Sequence, residues 1–225
     1  MRYFGIVALI AGKDLKSEFR RPDQVVALLF FAGLVLVVFH FAFDFTIIDF
    51  ETLGPGILWV AFIFSGVLAL GHSFQEEREA DRIEGIMLAP IDPSAFYLGK
   101  VVSTVIIMAG VEAIIVPVSV VMFNYRFGTH VGLMILVLIL NTIGFAAVGA
   151  LLAAMTTRTR MGEMLLSLLL LPMAVPIALA AVKTTSAILA GRPFDRYSHW
   201  LALSTAYDII FIASAVLLFD YVLEE

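Results

Sequence analysis

The sequence predicts an all-α polytopic membrane protein with six transmembrane helices, an N-terminal interfacial helix and a charged cytoplasmic helix. Of its 225 residues, 61% are hydrophobic and only 15% are charged, and the mean hydropathy is +1.02. Six apolar runs of about 19 to 25 residues follow one another, each long enough to cross a bilayer as a helix. This composition excludes a soluble globular protein. No connection is long enough for a separate catalytic domain, so residues 1–225 are expected to form one transmembrane domain.

Residues 1–22 predict an amphipathic helix that lies on the cytoplasmic membrane surface. Its apolar residues recur at steps of three or four: Phe4, Val7, Ala11, Leu15 and Phe19. The Lys and Arg residues fall largely on the rest of the helical wheel, as in interfacial helices. The alternative is an ordinary polar leader that only orients the first span.

The six spans are predicted from hydropathy windows of about 19 residues. They lie at 24–43, 53–74, 101–123, 131–155, 164–182 and 200–219. Ten of the 14 Lys and Arg residues fall on one side of these spans and four on the other. The positive-inside rule therefore predicts that the N- and C-termini are cytoplasmic. The formal net charge of −5 argues against a nucleic-acid partner, and the lack of cysteine excludes disulfides and thiolate metal ligands.

The connection 75–93, between the second and third spans, is the most highly charged of the chain. Its composition favours a helix from Phe74 to Leu88, and Pro90 and Pro93 end that helix. Exposed apolar residues are unfavourable on a helix in solvent, so the short apolar face of this helix is expected to pack against another surface. That face comprises Ile83, Ile86 and Met87. The alternative is a charged loop that only maintains orientation.

Several segments of the sequence resemble a known family. The segments Gln75-Glu-Glu-Arg-Glu, Ile83-Glu-Gly-Ile-Met-Leu-Ala-Pro and Leu98-Gly-Lys resemble the first cytoplasmic loop of ABC-2-type exporter permeases. The segments Pro55-Gly-Ile-Leu-Trp-Val-Ala and Leu165-Leu-Ser-Leu-Leu-Leu-Leu-Pro-Met-Ala-Val-Pro resemble, more narrowly, the haem exporter protein B family of cytochrome c maturation. The likeness covers nearly the whole chain in length, span count and span order.

The resemblance implies a permease subunit of the bacterial inner membrane that dimerises and binds a separate ATP-binding-cassette ATPase subunit. ATP would bind to that partner, and haem would be a cargo rather than a resident cofactor. Further implied partners are a haem-handling membrane subunit and a periplasmic haem chaperone. Either haem crosses the permease, or ATP-driven motion releases the loaded chaperone. The loop would be the coupling helix that contacts the ATPase, through the polar residues Gln75, Glu76, Glu77, Arg78, Asp81 and Arg82 and the apolar residues Ile83, Ile86 and Met87.

The chain lacks the sequence motifs of an enzyme. It has no phosphate-binding loop, no zinc-hydrolase motif and no Gly-x-Ser-x-Gly motif. Its energy must therefore come from a partner or from an ion gradient. The four histidines are expected to pack at interfaces or in loops, so this chain is not expected to be a primary haem ligand. Trp59 and Trp200 are expected to act as interfacial anchors.

Two acids are predicted near the middle of the membrane, Glu112 in the third span and Asp208 in the sixth. A charged side chain at that depth is costly. Each acid is therefore expected to be protonated, exposed to water in a cavity, or hydrogen-bonded to a partner such as Asn141 or Tyr207. Two interpretations remain open: a polar lining of a cargo path or proton relay, and a neutral carboxylic acid that ties helices together.

Small residues and prolines mark further features of the spans. Ala146, Gly149, Ala150, Ala153 and Ala154 allow close helix approach, either within one chain or at a dimer seam. The prolines Pro117, Pro172 and Pro176 are expected to kink their helices, as hinges or as static bends. The alternatives to haem export are an ABC-2 permease for another cargo, such as a lipid-linked glycan or a drug, and a stand-alone ion-coupled carrier that uses both acids.

Overall fold

The secondary structure is helical throughout the described part of the chain. The computed structural model describes residues 3–43, 50–79, 92–124, 130–156 and 161–224. The helices of these ranges are α1 (Tyr3–Arg20), α2 (Pro22–Ala42), α3 (Phe50–Glu79), α4 (Pro93–Phe123), α5 (Val131–Thr156), α6 (Gly162–Leu189) and α7 (Ser198–Glu224), with a short 3-10 turn at Phe194–Arg196. Each helix from α2 to α7 contains a stretch long and apolar enough to cross a membrane. The prediction of an all-α protein with six spanning helices is confirmed.

Several helices extend beyond the predicted spans. α4 begins at Pro93 rather than at 101, and α6 ends at Leu189 rather than at 182. Hydropathy windows detect the apolar middle of a helix, whereas caps determine its ends. The Asp92 side chain accepts hydrogen bonds from the Ser94 N–H at 2.9 Å and the Ser94 hydroxyl at 2.6 Å, and Pro93 occupies the first helical turn. At the other end of α4, Asn124 adopts the left-handed conformation that often terminates helices.

α5 lies at the centre of the bundle, where it packs against α3, α4, α6 and α7. Its small residues allow these close approaches. The residues concerned are buried within the single chain: Ala146, Gly149, Ala150, Ala153 and Ala154. Two uses were predicted for this small-residue face, packing within one chain and packing at a dimer seam. The structure shows the packing within one chain.

The buried apolar side chains form two clusters. The first includes Leu70, Phe74, Phe96, Leu166 and Phe219. It lies where α3 ends and α4 begins, and we call this the α3–α4 end. The second cluster includes Leu36, Phe62, Ile115, Met134 and Ala187. Since each cluster combines the end of one helix with the start of the next, consecutive spanning helices run in opposite directions.

α1 packs along α4. Of the predicted apolar stripe, Val7 and Ala11 are buried, whereas Phe4 and Phe19 are each 80% exposed. The buried face continues instead through two acids, Asp14 and Glu18. These four residues recur at steps of four, three and four, so they share one side of the helix. The predicted apolar stripe is therefore divided between residues buried in the protein and exposed residues, and the interfacial position of α1 stays a prediction.

Candidate functional site

A cluster of polar side chains lies inside the bundle, at the contacts of α5 with α4 and α7. Glu112 in α4 is 5% exposed. Its carboxyl group accepts a hydrogen bond of 2.5 Å from the hydroxyl of Thr142 in α5. A carboxyl group buried among apolar helices needs such a partner, so this bond satisfies Glu112 and joins the two helices.

Asn141 joins α5 to α7, one position before Thr142. Its side-chain oxygen accepts a hydrogen bond of 2.9 Å from the hydroxyl of Ser204, and its amide donates to the Val137 carbonyl at 2.7 Å. Neither hydrogen bond involves an acid. Of the alternatives expected for the two acids, Glu112 has a hydrogen-bond partner, and in the described residues that partner is Thr142 rather than Asn141 or Tyr207. Sequence reasoning missed Thr142 and Ser204, because hydroxyl residues are common in apolar helices and carry no spacing signal.

Asp208 lies on α7 one turn after Ser204 and faces α5 at Gly144. Its buried oxygen Oδ1 accepts no hydrogen bond from the residues that the structure describes. A Cβ atom added to Gly144 would overlap this oxygen and the side chain of Ile177. Glycine therefore lets α5 come close to the Asp208 carboxyl group. The structure places Glu112 and Asp208 at neighbouring contacts of α5, and no hydrogen bond within the described ranges joins the two acids.

A small cavity adjoins this polar cluster. Its volume is about 10 Å³, and its lining includes Trp59, Met108, Asn141 and Thr142. This volume suffices for about one water molecule and is far too small for a drug-sized or larger ligand, which needs roughly 300 Å³ or more. The cluster as described can hold helices together through the bonds of Glu112 with Thr142 and of Asn141 with Ser204. Among the described residues, no group of three or more His, Asp and Glu side chains is arranged to hold a metal ion.

Trp59 is a core residue in this structure. It is 4% exposed, and its indole N–H donates to the Thr185 hydroxyl in α6 at 3.0 Å. The expected role as an interfacial anchor was therefore wrong for Trp59. Trp200 is half-buried.

The three predicted kink residues lie inside helices, Pro117 in α4 and Pro172 and Pro176 in α6. A proline has no N–H, so Pro176 leaves the carbonyl of residue 172 without its helical donor. The Tyr207 hydroxyl donates to the neighbouring Met173 carbonyl at 2.7 Å. Pro172 also lines an apolar groove of about 480 Å³ between α3 and α6. Kinking and hinge motion at the three prolines stay predictions.

The predicted coupling residues fall at the edge of the described structure. The backbone of Gln75, Glu76, Glu77 and Arg78 is helical, because α3 continues to Glu79. This agrees with the start of the helix expected from Phe74. The remaining predicted residues lie outside the described residues: Asp81, Arg82, Ile83, Ile86 and Met87.

The chain that enters and leaves this connection is anchored to α1 by polar contacts that sequence reasoning missed. Lys100 in α4 is 1% exposed, and its ammonium group lies 3.0 Å from Asp14 Oδ2 in α1. The Tyr3 hydroxyl lies 2.8 Å from the Ser94 hydroxyl. One signal was available: Asp14 falls on the same side of the helix as Val7 and Ala11, which marks it as an acid turned toward the protein.

The chain is similar to a known family over nearly its whole length. A family model described as CcmB protein matches residues 5–221. Heme exporter protein B of Pseudomonas aeruginosa is 26% identical over 211 residues, which cover 94% of each chain. Heme exporter protein B of Escherichia coli K12 is 28% identical over 186 residues, 82% of this chain and 83% of that protein. The protein of the same name from Bradyrhizobium diazoefficiens is 24% identical over 181 residues, 80% of each chain.

Proposed function

The chain belongs to the CcmB protein family, and from this premise we propose that it is the permease subunit of an ATP-driven haem exporter in cytochrome c maturation. The observation that carries the proposal is the family match over residues 5–221, together with relatives named heme exporter protein B that align along most of their own length. The six spanning helices are those of a multi-pass bacterial membrane protein. The proposed task is the export of haem or the release of a haem-loaded chaperone.

We propose that the energy comes from a separate ATP-binding-cassette subunit. The absence of a phosphate-binding loop from the sequence supports a partner for ATP hydrolysis. The helical continuation of α3 to Glu79 supports a route for movement, because a rigid helix transmits a displacement at its end into the bundle. The proposed contact comprises the residues from Gln75 to Met87 that the resemblance assigns to coupling.

We propose that the α3–α4 end faces the cytoplasm. The excess of Lys and Arg on that side supports this orientation through the positive-inside rule. The other proposed partners are a second copy of this chain, a haem-handling membrane subunit and a periplasmic haem chaperone. These partners are expected from the family, and each of them is to be tested separately.

The decisive experiment replaces the host gene in a bacterium that makes c-type cytochromes. The chain should restore covalent haem attachment to those cytochromes, measured by haem staining, and should co-purify with the co-expressed ATPase subunit in mild detergent. Charge reversal at Glu77 and Asp81 should lower haem attachment and ATPase coupling by about tenfold and leave membrane insertion intact. A matched control is Asp195→Lys, an exposed acid on the turn between α6 and α7, away from the α3–α4 end.

Two outcomes would contradict the proposal. Failure to restore haem attachment, with the chain inserted and bound to the ATPase, would favour an ABC-2 permease for another cargo such as a lipid-linked glycan or a drug. Transport by the purified chain alone in liposomes, driven by a proton gradient, would favour an ion-coupled carrier that uses Glu112 and Asp208.

A further inference from the structure

We propose that Asp14 and Lys100 form an ionic clasp that holds α1, the end of α3 and the start of α4 together, so that the three move as one body when the coupling connection is displaced. This inference rests on the proposed permease function. It assigns a positioning role to two residues outside the coupling connection itself. The clasp is defined by Asp14, Ser73, Lys100 and Ser103.

Lys100 is the centre of the clasp. Its ammonium group lies 3.0 Å from Asp14 Oδ2. It donates to the Ser73 hydroxyl at 3.2 Å and to the Ser73 carbonyl at 3.4 Å. An ammonium group has three donors, and these three acceptors come from α1 and α3 while Lys100 itself belongs to α4. One buried cation therefore connects three helices.

The surroundings of Lys100 and Asp14 fix the geometry of the pair. The ammonium group lies 5.2 Å from the ring centroid of Phe74 and 5.7 Å from that of Phe96, within the range of cation–π attraction. The Ser103 hydroxyl donates to Asp14 Oδ2 at 3.2 Å. Both charged side chains are more than nine-tenths buried, so water does not screen their attraction as it does at a surface.

The clasp lies beside a close approach of α1 to α4. A Cβ atom added to Gly99 would lie 2.6 Å from Ile10 Cγ2 and 3.3 Å from the Val7 carbonyl oxygen, so a larger residue would push the helices apart. The Tyr3 and Ser94 hydroxyls, 2.8 Å apart, make a second contact near the start of α4. α1 is therefore attached to α4 at two points on either side of this approach.

Stability alone does not explain a buried ion pair at this position. Desolvation of two charges offsets most of their attraction, and well-packed apolar replacements are often as stable. A charged pair differs from an apolar contact in its directional requirement, because the ammonium group must meet its acceptors in one arrangement. We therefore assign the pair to positioning: it sets how the beginning of α4 and the end of α3 sit on α1.

The test uses the double variant Asp14→Asn with Lys100→Met in the complex with the co-expressed ATPase subunit. Removing both charges removes the two members of the pair together, and Lys100→Met retains the apolar stem of the side chain. The double variant should bind the ATPase and retain the KM for ATP and the thermal stability of the wild type. Its coupling of ATP hydrolysis to haem attachment should fall by roughly fivefold or more. Lys100→Arg, which retains the charge, should preserve more of the coupling than Lys100→Met.

Lys13 provides the matched control. Its ammonium group lies 3.2 Å from Oδ1 of the same Asp14, but its side chain is 42% exposed. Lys13→Gln removes a cation from the same carboxylate and should leave coupling unchanged. Full coupling in the double variant overturns the proposal, and so does a double variant that no longer folds, since the pair would then be needed for folding. If the wild-type chain itself shows no coupling, the proposed function fails rather than the clasp.

Discussion

Thr142 on α5 donates its hydroxyl to the carboxyl group of Glu112 on α4, and this buried bond is a direct polar link between the two helices. Thr142→Val removes the donor while the volume stays nearly constant. The buried carboxyl group then lacks its partner, and we expect a loss of about 1 kcal/mol in unfolding free energy, the scale measured for hydrogen bonds between membrane helices. Unfolding in detergent measures this loss.

Two variants serve as controls for the Thr142 prediction. Thr142→Ser retains the hydroxyl and should stay close to the wild type. Thr205→Val removes an exposed hydroxyl that, among the described residues, bonds within α7 to the Leu201 carbonyl at 2.9 Å. It should therefore lower the unfolding free energy by less than Thr142→Val does. Equal stability of Thr142→Val and the wild type would show that the bond does not stabilise the bundle.

The two intramembrane acids are expected to respond differently to amide substitution. Glu112 has a hydrogen-bond partner that an amide can also satisfy, so Glu112→Gln should retain both stability and haem attachment. The buried Asp208 oxygen has no such partner among the described residues, and unsatisfied acids inside membranes are retained mainly for function. Asp208→Asn should therefore fold normally and lose haem attachment, measured by haem staining. The opposite ranking of the two variants would assign the functional role to Glu112.

The close approach of α5 to α7 predicts a strong effect at Gly144. Gly144→Ala places a Cβ atom against Asp208 Oδ1 and Ile177, and overpacking of this kind costs about 1 to 3 kcal/mol. Gly132 lies on the same helix, and a Cβ atom added there would meet nothing within 4 Å. Gly132→Ala should therefore leave stability unchanged or raise it slightly through helix propensity. Thermal unfolding of both variants in one detergent compares them, and equal effects would contradict the close approach.

Trp59 and Trp200 are the two tryptophans of the chain, which makes their fluorescence separable. In Trp200→Phe, the emission comes from Trp59 and should resist quenching by iodide, because Trp59 is buried and bonded to Thr185. In Trp59→Phe, the half-buried Trp200 should be quenched more readily. Trp59→Phe should also destabilise the protein by about 1 kcal/mol through the lost hydrogen bond. Strong iodide quenching of Trp59 would instead restore the interfacial interpretation.

Sequence reasoning recovered the spans and the small-residue face because both depend on local composition. An apolar run is visible within one window, and small residues at steps of three or four mark a close contact whatever the partner. It failed where a side chain finds its partner on a distant segment. In the sequence, Asp14 and Lys100 each resemble ordinary surface charges, because their pairing requires α1 to pack along α4. Trp59 resembles an interfacial anchor, because its hydrogen-bond partner Thr185 lies on a different helix. The helices extend beyond the hydropathy spans because caps, not hydropathy, determine where a helix ends.

The two prolines of α6 lead to the last prediction. Pro176 leaves the carbonyl of residue 172 without a donor, while Tyr207 of α7 donates to the adjacent Met173 carbonyl. Pro176→Ala supplies the missing N–H and should stabilise α6 as a regular helix. If the bend serves movement, a stiffer helix should raise thermal stability and lower haem attachment together. Pro193→Ala, at an exposed proline between α6 and α7, should change neither. Full haem attachment in a stabilised Pro176→Ala variant would identify the bend as static, because the permease would then work without it.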